Sequence, residues 1–262
     1  MNRTFFLLMK SIKHLFNCQL LIVNCQLIFL LLIIASCRKE NLGDCFKSTG
    51  STVTEYRTVP DFDSIRLEDN INLFLKIDTF REVRIEAGSN LIPLIKTDIE
   101  NNFLVIRNRN TCNWVRSFSR SINVYVTVPH INVISSNASG KIQSIGKIKT
   151  NVIDIRLILS GDIELDLDVG YCYVRISAAS GDLILHGFTP VNEIFCSGTS
   201  WIKANDLATG YTFINSQTTG NIYVNATKVL GARLSCYGDV YYSGNPDSVI
   251  SEIYSTGKLI KD

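Results

Sequence analysis

From residue 128 onward, apolar and polar positions alternate with a period of two, and no stretch of helical 3.6-residue period interrupts them. That alternation predicts β-strands. A hydroxyl residue precedes glycine seven times, at Ser139-Gly140, Ser160-Gly161, Ser180-Gly181, Ser197-Gly198, Thr219-Gly220, Tyr237-Gly238 and Thr256-Gly257. The glycines are spaced by 21, 20, 17, 22, 18 and 19 residues, a period that marks stacked supersecondary units.

Aligned on those glycines, the units share columns. Two residues after each glycine stand Ile142, Ile163, Leu183, Ser200, Ile222, Val240 and Leu259. Two before it stand Ala138, Leu159, Ala179, Cys196, Thr218, Cys236 and Ser255. Both columns are expected to face inward, while Lys141, Asp162, Glu164, Asp182 and Asp239 between them face water. The glycine supplies a corner with positive φ or a close backbone approach. Pro is absent from 130–189 and 191–245, as a hydrogen-bonded ladder requires. The pattern predicts an all-β fold, a single-stranded parallel β-solenoid (β-helix) of about 20 residues per coil. An antiparallel β-sandwich also repeats its turns, but not the same chemistry at one corner of every unit.

Residues 56–135 are less regular. Segments 64–67, 71–75, 83–86, 104–106 and 122–126 alternate as strands, and are expected to form irregular N-terminal capping strands. Leu91-Ile92-Pro93-Leu94-Ile95 predicts a short helical turn limited by Pro93.

The first 36 residues follow a different rule. They carry Arg3, Lys10 and Lys13, no acidic residue, and an apolar run from Leu27 to Ala35 that is too short to span a bilayer, which takes ~20 residues. The run ends in Ile34-Ala35-Ser36-Cys37, which resembles a bacterial lipobox. Residues 1–36 are therefore expected to be a lipoprotein signal peptide, and Cys37 the lipidated N-terminus of an outer-membrane, cell-envelope protein. Met9 is a second candidate start. Residues 37–55 read as a flexible tether, and 56–262 as the solenoid domain.

Charge changes this picture little. Three of the 26 basic residues lie in the leader, leaving 23 against 24 acidic ones, so no nucleic-acid partner is expected. Of the eight cysteines, Cys18 and Cys25 leave with the leader and Cys37 takes lipid. Five remain, too odd a number for a full disulfide framework. Cys45 with Cys112 is a candidate disulfide tying the tether to the opening coils; Cys196 and Cys236 read as small core residues.

Phe62-Asp63-Ser64-Ile65, Asn70-Ile71-Asn72-Leu73-Phe74-Leu75, the run from Val83 to Pro93, Cys112-Asn113-Trp114 and the run from Ile122 to Pro129 precede the Ser-Gly-Asp repeats in that order. In this arrangement residues 60–262 resemble the family described as "putative auto-transporter adhesin, head GIN domain", found in bacterial surface and lipid-anchored proteins. The resemblance implies a β-solenoid with a surface or adhesive role and offers no catalytic residues to transfer.

No catalytic constellation is evident. His130 and His186 lack Cys or His at ligand spacing, so no zinc or other cofactor is expected. Asp162, Asp182 and Asp239 share the position after the glycine and could in principle ligate calcium, but Lys141, Thr199, Asn221 and Lys258 occupy that column elsewhere. Glu164, Asp166 and Asp168 share one outward face, yet the short coils leave no room for the long loops of a polysaccharide-cleaving cleft. Trp201, Tyr223 and Tyr241 each follow a glycine by three, predicting an outward aromatic ladder suited to stacking a sugar or a protein surface. The reading is a non-enzymatic, lipid-anchored adhesin or surface interaction module, its partners the membrane through the lipid and a glycan or surface protein. The alternative is an envelope polysaccharide-binding or processing β-helix protein.

Overall fold

The computed structural model describes residues 48–111 and 121–262; all of these except Thr111 belong to one compact unit. Among the described residues sixteen strands form one continuous sheet. The opening strands are β1 (Thr52–Arg57), β2 (Ser64–Asp69), β3 (Asn72–Ile77), β4 (Glu82–Gly88), β5 (Ile95–Glu100), β6 (Phe103–Asn108), β7 (Asn123–Val128) and β8 (Val133–Ala138). Long strands follow, β9 (Ile142–Leu157), β10 (Ile163–Ala179), β11 (Leu183–Gly198), β12 (Ile202–Thr218) and β13 (Ile222–Leu234). The last are β14 (Val240–Ser243), β15 (Ser248–Ile253) and β16 (Leu259–Lys261).

From β9 on, every pairing is parallel, and each strand pairs with the segment about 20 residues later in the chain. The result is the expected parallel β-solenoid, with about six turns. Among the described residues antiparallel pairs occur only at the start: β1 with β4, β4 with β7, and β5 with β6. The chain doubles back there before the regular winding begins. A short 3₁₀ turn at Ile92–Leu94 sits where Pro93 predicts it. Arg57 ties β1 to that turn, donating to the carbonyls of Ile95 (2.6 Å) and Ile92 (3.1 Å). Residues 52–55, the end of the expected tether, thus lie within β1. Residues 1–36, 37–47 and Cys112 lie outside the described residues.

The core is a stack of inward columns. Leu73, Ile142, Ile163, Leu183, Ile202, Ile222 and Val240 lie in register on successive coils and are all fully buried. Each such side chain contributes about 1.5–3 kcal/mol by leaving water. No coil could bury its own apolar face alone.

The register corrects two expectations. Ile202, not Ser200, occupies the column two residues past the corner, and Ser200 takes the place of a corner glycine. The corner column is Gly140, Gly161, Gly181, Ser200, Gly220, Gly238 and Gly257. A β-carbon on Gly161 would stand 2.1 Å from the Gly140 carbonyl oxygen, and one on Gly181 2.3 Å from that of Gly161. At the six glycines of this column close approach between rungs, not positive φ, excludes a β-carbon; Ser200 is the exception. Gly198 has φ +109° and pairs with Thr218, two residues upstream of the corner. Leu159, expected inside, is 50% exposed, because it lies in the connection between β9 and β10 rather than in a strand. Cys196 is buried and Cys236 half-buried.

Candidate functional site

The residue after each corner forms a second column: Asn72, Lys141, Asp162, Asp182, Trp201, Asn221, Asp239 and Lys258. Here short side-chain acceptors bind the next rung. Asn72 Oδ1 accepts the Lys141 N–H (3.2 Å) and Asp162 Oδ1 that of Asp182 (2.8 Å). Asp182 Oδ1 accepts from Trp201 (3.1 Å), Asn221 Oδ1 from Asp239 (3.1 Å) and Asp239 Oδ1 from Lys258 (2.8 Å). The aspartates considered for calcium are thus engaged with backbone N–H groups across the turn. Among the described residues no three His, Cys, Asp or Glu side chains converge as a metal site.

Asp182 also fixes the aromatic ladder. While its Oδ1 holds the Trp201 backbone, its Oδ2 meets Lys203 Nζ at 3.2 Å, and Lys203 lies 6.0 Å from the Trp201 ring centroid. Tyr223 and Tyr241 are direct register partners, their rings 4.9 Å apart and within 11° of parallel. Trp201 and Tyr223 stack at 6.2 Å and 29°. The looser stacking has a cause. Lys203, not Trp201, is the register partner of Tyr223, so Trp201 reaches the ladder from two residues earlier. The three predicted residues do come together, and Trp201 is 42% exposed. Their rings lie face to face along the stack, so Tyr223 offers solvent its edge and hydroxyl, and only the end rings keep a face outside the stack. Burial, then the charge of Asp239, pushes the Tyr241 phenol above its ordinary value.

The acidic face of β10 is engaged differently. Glu164 accepts from Lys141 Nζ (2.6 Å) and Gln143 Nε2 (3.1 Å), and these bonds hold its carboxyl below the usual glutamate value. Asp168 faces Lys149 at 3.6 Å. His186 stands between Glu164 (3.9 Å) and Asp206 (3.5 Å). A carboxyl held low by a lysine is poorly suited to donate a proton near neutrality.

Sequence reasoning missed a further outward surface on the second half of the long strands. Phe213 is in register with Glu193 on one side and Gly231 on the other, and Gly231 with Ile250. Beside them run Phe195, Asn215, Arg233 and Glu252. Together they line a groove of about 350 Å³, and Arg233 and Glu252 pair at 2.7 Å along it. Only the register brings Gly231 between Phe213 and Ile250, and no local motif announces it. Cys37, Cys45 and Cys112 lie outside the described residues, so neither the lipid site nor the candidate disulfide has a geometry here.

A family model described as "putative auto-transporter adhesin, head GIN domain" matches residues 61–246. No curated protein matches the chain. Among solved structures, a "putative adhesin" from Bacteroides fragilis shares 21% identity at a TM-score of 0.75, over 82% of this chain and 100% of that one. A "putative lipid binding protein" from Parabacteroides distasonis shares 18% at 0.64, over 82% and 100%. A "putative adhesin" from Parabacteroides merdae shares 14% at 0.62, over 81% and 96%. These likenesses concern the fold.

Proposed function

The chain belongs to the head GIN domain family, and from that membership we propose that it is a non-enzymatic adhesin of the cell envelope. In this reading Cys37 carries lipid in the outer membrane, the solenoid stands away from it, and Trp201, Tyr223 and Tyr241 form the contact surface for a glycan or a surface protein. The observation that supports it most is the ladder itself: three large aromatic side chains stacked on successive coils, ending in a Trp that is 42% exposed. Amphipathic rings of this kind combine apolar area with a hydrogen-bonding edge, as contact surfaces require. The near balance of basic and acidic residues supports a partner other than nucleic acid. The engagement of Glu164 by Lys141 and Gln143 supports a role without general acid catalysis.

Two measurements test it. Trp201→Ala combined with Tyr223→Ala is expected to abolish adherence to cells and binding on a glycan array, while stability falls by about 1–3 kcal/mol, the worth of the two stacked pairs that Tyr223 joins. Undiminished adherence would remove the ladder from the contact surface. Radiolabelled palmitate is expected to enter the wild-type protein and not Cys37→Ser; label in both would refute the anchor.

A further inference from the structure

Among the described residues the last full coil leaves one apolar strand edge unpaired. Among the described residues β15 pairs with β13 alone, leaving alternate N–H and C=O groups of its other side without a strand. Val249 and Ile253 continue the inward columns of Leu230 and Leu234, which are fully buried, yet are themselves 42% and 47% exposed. Terminal coils of solenoids ordinarily carry a polar outer face. Edge strands are ordinarily blunted by short length, lysine or proline. β16 uses two of these devices, being three residues long and ending in Lys261. β15 is six residues long, Ser248-Val249-Ile250-Ser251-Glu252-Ile253, with neither Lys nor Pro.

We propose that the free edge of β15 is a docking surface for β15 of a second copy of this chain, paired antiparallel about a two-fold axis through Ser251. The strand is complementary to itself in one register. With Ser251 opposite Ser251 of the other copy, Val249 falls opposite Ile253 and Ile253 opposite Val249, all on the inward face. A register shifted by one would place inward residues against outward ones. The pairing therefore continues the core column across the junction and gives both edges hydrogen-bond partners. It is an isologous contact, which closes at two copies.

The sheet order puts β1 and β16 at opposite ends of the strand sequence. Pairing through β15 thus places the two β1 strands farthest from the junction. Joined to the N-terminal anchoring proposed above, this geometry has two copies meeting from opposing surfaces. The pairing itself does not depend on that anchor.

The test uses the full chain in dodecyl maltoside micelles. Sedimentation is expected to give a protein mass of two chains. Val249→Lys with Ile253→Lys is expected to return it to one chain with an unchanged far-ultraviolet circular dichroism spectrum. Ser251→Cys under mild oxidation is expected to form a disulfide-linked dimer, with the 251–251 peptide identified by mass spectrometry. That conservative variant decides the matter should the lysine variant fail to fold. A monomeric wild type, a dimer indifferent to both lysines, an assembly growing beyond two copies, or a Ser251→Cys dimer without the 251–251 link would each overturn the proposal. Palmitate labelling reads the anchor independently, so the two readings fail separately.

Discussion

A β-carbon placed on Gly220 would stand 2.1 Å from the carbonyl oxygen of Ser200, one coil earlier. The neighbour is backbone held by the ladder, so it cannot swing aside. Gly220→Ala is expected to destabilise the protein by about 1–3 kcal/mol through overpacking. Gly231 makes the contrast: there the nearest atom is Cδ1 of the exposed Phe213 ring, at 3.0 Å. Gly231→Ala is expected to lie within about 1 kcal/mol of wild type, because the ring can yield and alanine restricts the unfolded chain. Urea unfolding of the two variants checks the pair; equal losses would refute the steric account of the corner.

Asn192 is fully buried between coils, and neither its amide nitrogen nor its oxygen has a partner among the described residues. An unpaired buried polar group costs about 1–3 kcal/mol. Asn192→Leu, similar in size, is therefore expected to stabilise the fold by about that amount. Loss of stability in urea unfolding would show instead that an internal water completes the amide's hydrogen bonds.

Lys141, then Gln143, holds the Glu164 carboxyl below its ordinary value of 4.5. A group whose folded pKa is depressed stabilises the protein above its unfolded pKa and loses that contribution as pH falls through the folded value. Stability is thus expected to decline below about 4.5. Lys141→Met should make that decline shallower in melts recorded across this acid range. Both side chains are more than one-third exposed, so added salt should weaken the effect. An unchanged acid slope in the variant would exclude the pair as its source.

Burial pushes the Cys196 thiol up to about 12 and raises that of Cys172 as well. Since the thiolate is the reactive form, neither should alkylate in the native protein near pH ~8. Of these three, half-buried Cys236 is expected to label first. Mass spectrometry after brief iodoacetamide treatment reads the order, and early labelling of Cys172 would show that the coils open locally.

Much of the architecture was legible because a strand has a period of two. Aligning the coils on Gly198 misplaces that coil by two residues, yet inward residues stay inward, since an even slip preserves the face. The aromatic residues were for that reason correctly expected outside. The same slip put Trp201 in the wrong column of its coil, where Lys203 stands. The opening strands were legible at β2, β3, β4, β6 and β7 but not at β5, nor at β1, whose Thr-Val-Thr-Glu-Tyr-Arg carries too little apolar weight to declare itself. Its strand character comes from β4 alongside.

The chain's own order of residues determined the winding: a short period, glycine at the bend and alternation between bends leave parallel coils as the arrangement that buries every apolar column. Tertiary structure alone decided which residues meet across coils. Contacts between rungs join positions about 20 residues apart, and a bulge of one or two residues in any coil shifts them all. The tilt of Trp201 against Tyr223, the notch at Gly231 between Phe213 and Ile250, and the bare edge of β15 each arise from that accumulated register, which no local pattern records.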